Sequence, residues 1–155
     1  MKKVFFMRHG KSDGYHLYED DYVRPLIDRG RQEVTQAAIA SATKYKIDAI
    51  LASPAFRTNE TARLVNHVFS LNPDQVYFDN ALYNGSFGEY LEAIEKVNSH
   101  SILVVGHNPS IANLALHFSQ SDGIFKTSEI IGVEYKEPQL GITSICTDIF
   151  SHLRH

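Results

Sequence analysis

The chain has 155 residues, with 15 Lys and Arg against 18 Asp and Glu, a net charge of −3, and 43% hydrophobic residues. That describes one ordinary domain, long enough to bury about 68–70% of its extended surface without disulfides or a structural metal. The balance of charge offers no basic field for nucleic acid, and no stretch approaches the roughly 18 apolar residues of a membrane span. Met1-Lys2-Lys3 begins positively, but the apolar run Val4–Met7 stops at Arg8, short of the roughly 7–15 apolar residues of a signal peptide. The lone Cys146 has no partner for a disulfide. A reducing, cytoplasmic compartment is therefore expected.

In chain order, Lys3–Met7 is a short apolar strand, followed by a long connection and a helix over Gly30–Tyr45 with Val34, Ala37 and Ala38 on its apolar stripe. Ala49–Ala52 is a second strand. It leads into a helix over Pro54–Phe69 that Ser53 is expected to cap, since proline is tolerated in a first helical turn. Gln75–Phe78 is a third strand, and Ser86–Asn98 a helix opened by Ser86 and Glu89 in a capping box. Ser101–Val105 is a fourth strand, with a helix over Ser110–Phe118 behind it and a loop over Ser119–Ser128. The tail turns β-rich. Glu129–Lys136 and Gly141–Phe150, parted by Glu137-Pro138-Gln139, are expected as two antiparallel closing strands. The first, second and fourth strands carry the continuous apolar runs Val4–Met7, Ala49–Ala52 and Ile102–Val105, as central strands covered on both faces do. The fold class is thus α/β: three layers, a mostly parallel sheet with helices on both faces, in a single domain over residues 1–155 without repeats or linkers.

Three strand ends carry chemistry, at the carboxyl edge where such sheets place their sites. Arg8-His9-Gly10 sets a guanidinium and an imidazole beside a glycine, a combination suited to an oxyanion; alone it is equally compatible with a surface ion pair and a loop histidine. Ser53-Pro54-Ala55-Phe56-Arg57 combines free N–H groups at a helix start with an arginine fork, and alone would be a solvated helical arginine. Gly106-His107-Asn108-Pro109-Ser110 repeats the first pattern, and alone would be a buried, satisfied histidine. Three strand ends delivering cationic or imidazole groups together point to an anion. The histidines lack metal-binding spacing, so no metal is expected.

These motifs resemble those of the histidine phosphatase superfamily, whose fold is that of cofactor-dependent phosphoglycerate mutase. Arg8-His9-Gly10 matches its defining motif, Ser53-Pro54-x-x-Arg57 with Glu60-Thr61-Ala62 the second, and Gly106-His107-Asn108-Pro109 the third. Arg24-Pro25-Leu26 with Gly30 is similar to the SixA-type phosphohistidine phosphatase branch, and the likeness covers Lys3 to about Tyr135. The resemblance implies phosphoryl transfer through a phosphohistidine on His9, with Arg8, Arg57 and His107 gripping the phosphoryl oxygens, Arg24 as a further phosphate-side arginine, and no cofactor. Tyr83 stands where many members carry a glutamate general acid. Asp21 becomes the best candidate donor, with Asp13 and Glu89 behind it. Without a dedicated acid the site leans toward phosphohistidine, whose leaving imidazole is protonated near neutral pH more readily than an alkoxide. A short chain without a large insertion implies an open site, suited to a phosphorylated protein such as a phosphotransfer domain, with Tyr15–Tyr22 available for recognition. A phosphomonoesterase acting on a small phosphorylated metabolite and a non-catalytic phosphate-binding adaptor remain as alternatives.

Overall fold

The structure, a computed structural model, describes residues 2–119, 125–135 and 146–153. Six strands form one sheet in the order β3-β2-β4-β1-β5-β6: β1 Lys2–Arg8, β2 Ala49–Ala52, β3 Val76–Phe78, β4 Ser101–Gly106, β5 Ile130–Tyr135 and β6 Cys146–Leu153. Pairing is parallel from β3 through β1 and antiparallel from β1 to β6. The helices are α1 Asp28–Ala42, α2 Phe56–Phe69, α3 Phe87–Lys96 and α4 Ser110–Ser119.

Strict alternation of side chains along the strands divides the core in two. Phe5, Met7, Ile50, Leu103 and Val105 pack against Val34, Ala37 and Ala38 of α1 and Ala62 and Val65 of α2. Val4, Phe6, Leu51, Ile102 and Val104 face the other way, onto Tyr90 and Ile94 of α3 and Ile111, Leu114 and Phe118 of α4. Two covered faces explain why these strands carry no polar alternation. The expected three-layer α/β architecture is the observed one, with β2, β4 and β1 at the centre.

Several boundaries move. The second strand of the tail, Cys146–Leu153, continues past the expected end at Phe150; its expected start over 141–145 lies within residues 136–145, outside the described residues. Within the loop expected over Ser119–Ser128, α4 takes Ser119 and residues 120–124 lie outside the described residues. The long connection after β1 is not structureless: 3-10 turns at Tyr15–Leu17 and Asp21–Val23 and a bridge between Ser12 and Leu26 shape it. Gln75 closes a 3-10 turn, Pro73–Gln75, rather than opening β3. Ser86 does cap α3, accepting from the Glu89 N–H at 3.2 Å, but Glu89 answers the serine hydroxyl rather than its backbone.

Ser53 does not cap α2. That helix starts at Phe56 with Ala55 at its N-cap and no side-chain cap, and the Ser53 hydroxyl lies 2.8 Å from His107 Nε2 instead.

Candidate active site

Register decides what meets at the carboxyl edge. Arg8 pairs with Gly106 and Ala52 with Val105, so the next residues along, His9, His107 and Ser53, emerge side by side. The His9 and His107 rings lie 5.5 Å apart between centroids, and both residues are buried, at 6% and 7% exposure. Arg57, in the first turn of α2, is likewise buried.

The His9 loop is held from three sides. The Gly10 N–H donates to Thr61 Oγ1 at 3.0 Å, and that hydroxyl donates to the Arg57 carbonyl at 2.7 Å, so α2 fixes both the loop and its own arginine. Glu60 accepts from the Leu26 N–H at 2.9 Å and from Arg31 Nε at 2.6 Å, tying the Arg24-Pro25-Leu26 segment and α1 to α2. From the third side, the Ser128 N–H bonds the Arg8 and His9 carbonyls, at 3.1 Å each. Gly30 lets α1 approach this loop: a Cβ there would lie 2.1 Å from the Lys11 carbonyl oxygen.

The Nδ1 of His9 is 2.7 Å from the Gly10 carbonyl oxygen, an acceptor, so Nδ1 carries the proton and Nε2 keeps its lone pair. Burial pushes the His9 pKa down; the Gly10 bond opposes this, and His107, Arg57 and Arg8 add to it, leaving it at about 3. His107 is also brought to about 3, by burial and then by Arg57 against the opposing pull of Asp21. Two neutral imidazoles therefore stand among guanidinium groups at physiological pH.

Both arginines are held by one edge and open at another. Arg57 donates from Nη1 to the Asp21 carbonyl at 2.8 Å and from Nη2 to Asp21 Oδ2 at 2.9 Å; its buried Nε has no partner. Arg8 donates from Nη1 to the Phe125 carbonyl at 3.3 Å, and its buried Nε is also unpartnered. The third unpartnered atom of the group is His107 Nδ1. The two arginine Nε–H groups are buried donors that a bound tetrahedral oxyanion would satisfy.

Asp21 lies at the centre of the surrounding contacts. Its carboxylate accepts from Arg24 Nε at 2.8 Å, Arg57 Nη2 at 2.9 Å and the Tyr83 hydroxyl at 2.9 Å. Partial burial raises its pKa, but the bonds from Tyr83, Arg24 and Arg57 outweigh that and bring it down to about 2. A carboxyl held so low is ionised, the opposite of what a proton donor needs. Burial and the bond to Asp21 raise the Tyr83 phenol above its ordinary value. Arg24 also donates from Nη1 to Ser12 Oγ at 2.9 Å and to the Asp13 carbonyl at 2.7 Å, bracing the connection after β1. Neither weaker candidate joins the cluster. The Asp13 carboxylate accepts from Tyr18, and Glu89 sits on the exposed first turn of α3.

The model of the histidine phosphatase superfamily, branch 1, matches residues 4–98. The chain belongs to the histidine phosphatase superfamily. It is 29% identical over 141 residues to the phosphohistidine phosphatase SixA of Escherichia coli K12, covering 87% of this chain and 86% of that protein. A Mycobacterium tuberculosis protein is 33% identical over 123 residues, 76% of this chain and 72% of the relative. A protein histidine phosphatase SixA solved with tungstate superposes with a TM-score of 0.73 at 29% identity, over 85% of this chain and 87% of that one. A SixA protein from Agrobacterium tumefaciens gives 0.79 at 23% identity over 97% of both chains, which speaks to the fold alone. Within the superfamily this histidine phosphatase is of SixA type, and it is a phosphatase.

In this phosphatase's sequence Ser53 and Thr61 stand out as motif letters without a stated role in the site, while Tyr90 and the Phe125–Ser128 segment carry no signal for it. Tyr90 donates to the Leu82 carbonyl at 2.7 Å and accepts from the His107 N–H at 3.1 Å, fixing the turn that carries His107. A cavity of about 240 Å³ opens beside His107, walled by Tyr83, Asn84, Gly85, Pro109 and Ser110. Among the described residues no cluster of three His, Cys, Asp or Glu could hold a metal, and no helix is long and apolar enough to cross a membrane.

Proposed function

We propose that this histidine phosphatase hydrolyses phosphohistidine carried on a protein, through a phosphoryl group held transiently on His9. The observation that carries the reading is the proton placement on His9: Nδ1 is committed to the Gly10 carbonyl, and Nε2 is a buried, neutral lone pair beside open arginine edges. In the first step Nε2 attacks phosphorus, the substrate's P–N bond breaks, and its imidazole leaves with that electron pair and takes a proton from solvent. In the second, water attacks phosphorus, the bond to Nε2 breaks, and His9 returns neutral with inorganic phosphate as product. Arg8, Arg57 and His107 hold the equatorial oxygens, where charge stabilisation supplies most of the rate in phosphoryl transfer.

Asp21 acts here by holding the Arg57 and Arg24 guanidinium groups rather than by donating a proton, and Arg24 supports the phosphate side from behind Asp21. Among the described residues the carboxyl in this cluster is Asp21, which is held ionised, and that supports a leaving imidazole, which needs less acid help than an alkoxide. The cavity beside His107 has room for such a ring. A protein substrate is supported by Tyr15 and Leu17, exposed at 74% and 62% on the connection that carries Asp21 and Arg24.

The test compares phosphate release from a phosphohistidine-bearing phosphotransfer domain and from p-nitrophenyl phosphate, for the intact chain and His9→Ala. Turnover of the phosphoprotein that disappears in the variant is expected, with a phosphoryl group trapped on the intact enzyme by rapid quench at alkaline pH. Turnover of the aryl ester alone would redirect the reading to small phosphates. Phosphate binding without turnover of either would leave an adaptor.

A further inference from the structure

The two ring nitrogens of His107 have different surroundings. Nε2 lies 2.8 Å from Ser53 Oγ, whereas Nδ1 is buried with no partner. Ser53 is itself fully buried at 0% exposure, so its hydroxyl proton needs an acceptor. The hydroxyl oxygen already faces a donor, the Ala55 N–H at 3.5 Å. Two arrangements satisfy the pair. If the hydroxyl donates to Nε2, both Ser53 functions are used and the His107 proton resides on Nδ1. If Nε2–H donates to Ser53 instead, the hydroxyl proton has no acceptor among the described residues, and Nδ1 becomes a bare lone pair in a site that gathers anions.

We infer that Ser53 is a positioning residue that holds His107 in the tautomer protonated on Nδ1, so that this nitrogen donates to a phosphoryl oxygen. The inference rests on the phosphatase reading of the site, but not on the identity of the substrate. Several features of the chain agree with it. Register places Ser53 beside His107 as β2 and β4 end together, and the Ser53 N–H is fixed to the Val105 carbonyl at 3.1 Å. The start of α2 at Phe56 frees the hydroxyl from capping. The His107 N–H is held separately by Tyr90, so the ring is oriented by its backbone and its proton is assigned by Ser53. A neutral imidazole can be a donor toward an anion through only one nitrogen, and which one is fixed by the partner of the other.

The decisive measurement is the tautomer itself, read from the 15N and 1H correlations of the His107 ring in the intact, phosphate-free protein near pH 7. Protonated Nδ1 with bare Nε2 is expected; protonated Nε2 would overturn the inference outright. Ser53→Ala should redistribute the two tautomers and weaken binding of inorganic phosphate by about tenfold or more, the range of a hydrogen bond to a charged group. Ser53→Thr, which keeps the hydroxyl, should restore the tautomer and bring the affinity within about threefold of the parent. Unchanged phosphate affinity in Ser53→Ala would refute the role, as would a Thr variant that folds but rescues neither readout. Should Ser53→Ala fail to fold, the parent spectrum and the Thr variant still decide. A correct tautomer with no phosphohistidine turnover would instead count against the proposed substrate alone.

Discussion

Acidification should unfold this protein through two histidines in particular. In the native state His9 and His107 both sit at about 3, against the ordinary 6.5 that an unfolded chain would show. Between those values the unfolded state binds protons that the native state refuses, so stability rises with pH and falls as pH drops from about 6.5 toward 3. Each group contributes a slope of about 1.4 kcal/mol per pH unit inside that window. From pH 7 to 4.5 the loss comes to about 2.5 kcal/mol per histidine and about 5 for the pair, a large part of the 5–15 kcal/mol typical of a domain. Asp21 loses its own contribution between its ordinary value of 3.8 and about 2, below pH 4.5, and so does not confuse the measured range. Urea unfolding followed by far-ultraviolet circular dichroism at pH 7, 5.5 and 4.5 measures the slope. The comparison is with His9→Gln, whose amide does not titrate. Whatever the variant does to stability at pH 7, it should lose about 2.5 kcal/mol less than the parent on going to pH 4.5. Equal losses in parent and variant would refute the buried, neutral His9 on which the proton assignment stands.

Gly30→Ala should destabilise the protein by several kcal/mol, because the new methyl would sit 2.1 Å from the Lys11 carbonyl and push α1 off the His9 loop; urea midpoints check it, and a change under about 0.5 kcal/mol would contradict the packing. Asp21→Asn should keep the fold and lower kcat/KM by about 10- to 100-fold through misplacement of Arg57, without adding a new acid limb to the pH profile. An acid or base limb that disappears with Asp21 would return it to the role of proton donor. Tyr83→Phe removes one bond to the Asp21 carboxylate while keeping the ring against His107, so its effect on phosphohistidine turnover should stay within about fivefold.

The strand-end motifs were legible because each is covalently tied to an apolar strand, and parallel register then carries them to one edge. What the sequence hid depends on separation along the chain. The bonds from Arg57 and Tyr83 to Asp21 join residues 36 and 62 positions apart, so an acidic residue near an arginine motif reads as a free donor until packing surrounds it with donors of its own. Ser53 was misread for a local reason: a serine ahead of a proline at a helix start has the pattern of a cap, and only the neighbouring strand supplies the imidazole that claims its hydroxyl. Thr61 and Glu60 are visible as letters of a motif but not as the bonds that tie the His9 loop and the Leu26 segment to α2.

The same arrangement explains how a chain of net charge −3 holds an anion. Burial lowers the pKa of Arg8 and its neighbour Arg57 lowers it further, which means that two adjacent guanidinium charges repel each other across the site. Neutral histidines avoid adding to that repulsion, and one carboxylate, Asp21, offsets part of it by pairing with Arg57 through Nη2 while leaving its Nε without a partner. A phosphoryl group entering between those atoms replaces repulsion with paired donors and acceptors. The transition state, with its charge spread over the equatorial oxygens, engages the same open N–H groups. The carboxylate that serves this purpose must stay ionised to do so, and a site organised in this way gives up its nearest acid. On the proposed phosphohistidine reading this is no handicap, because a leaving imidazole takes its proton from water where an alkoxide would need a donor.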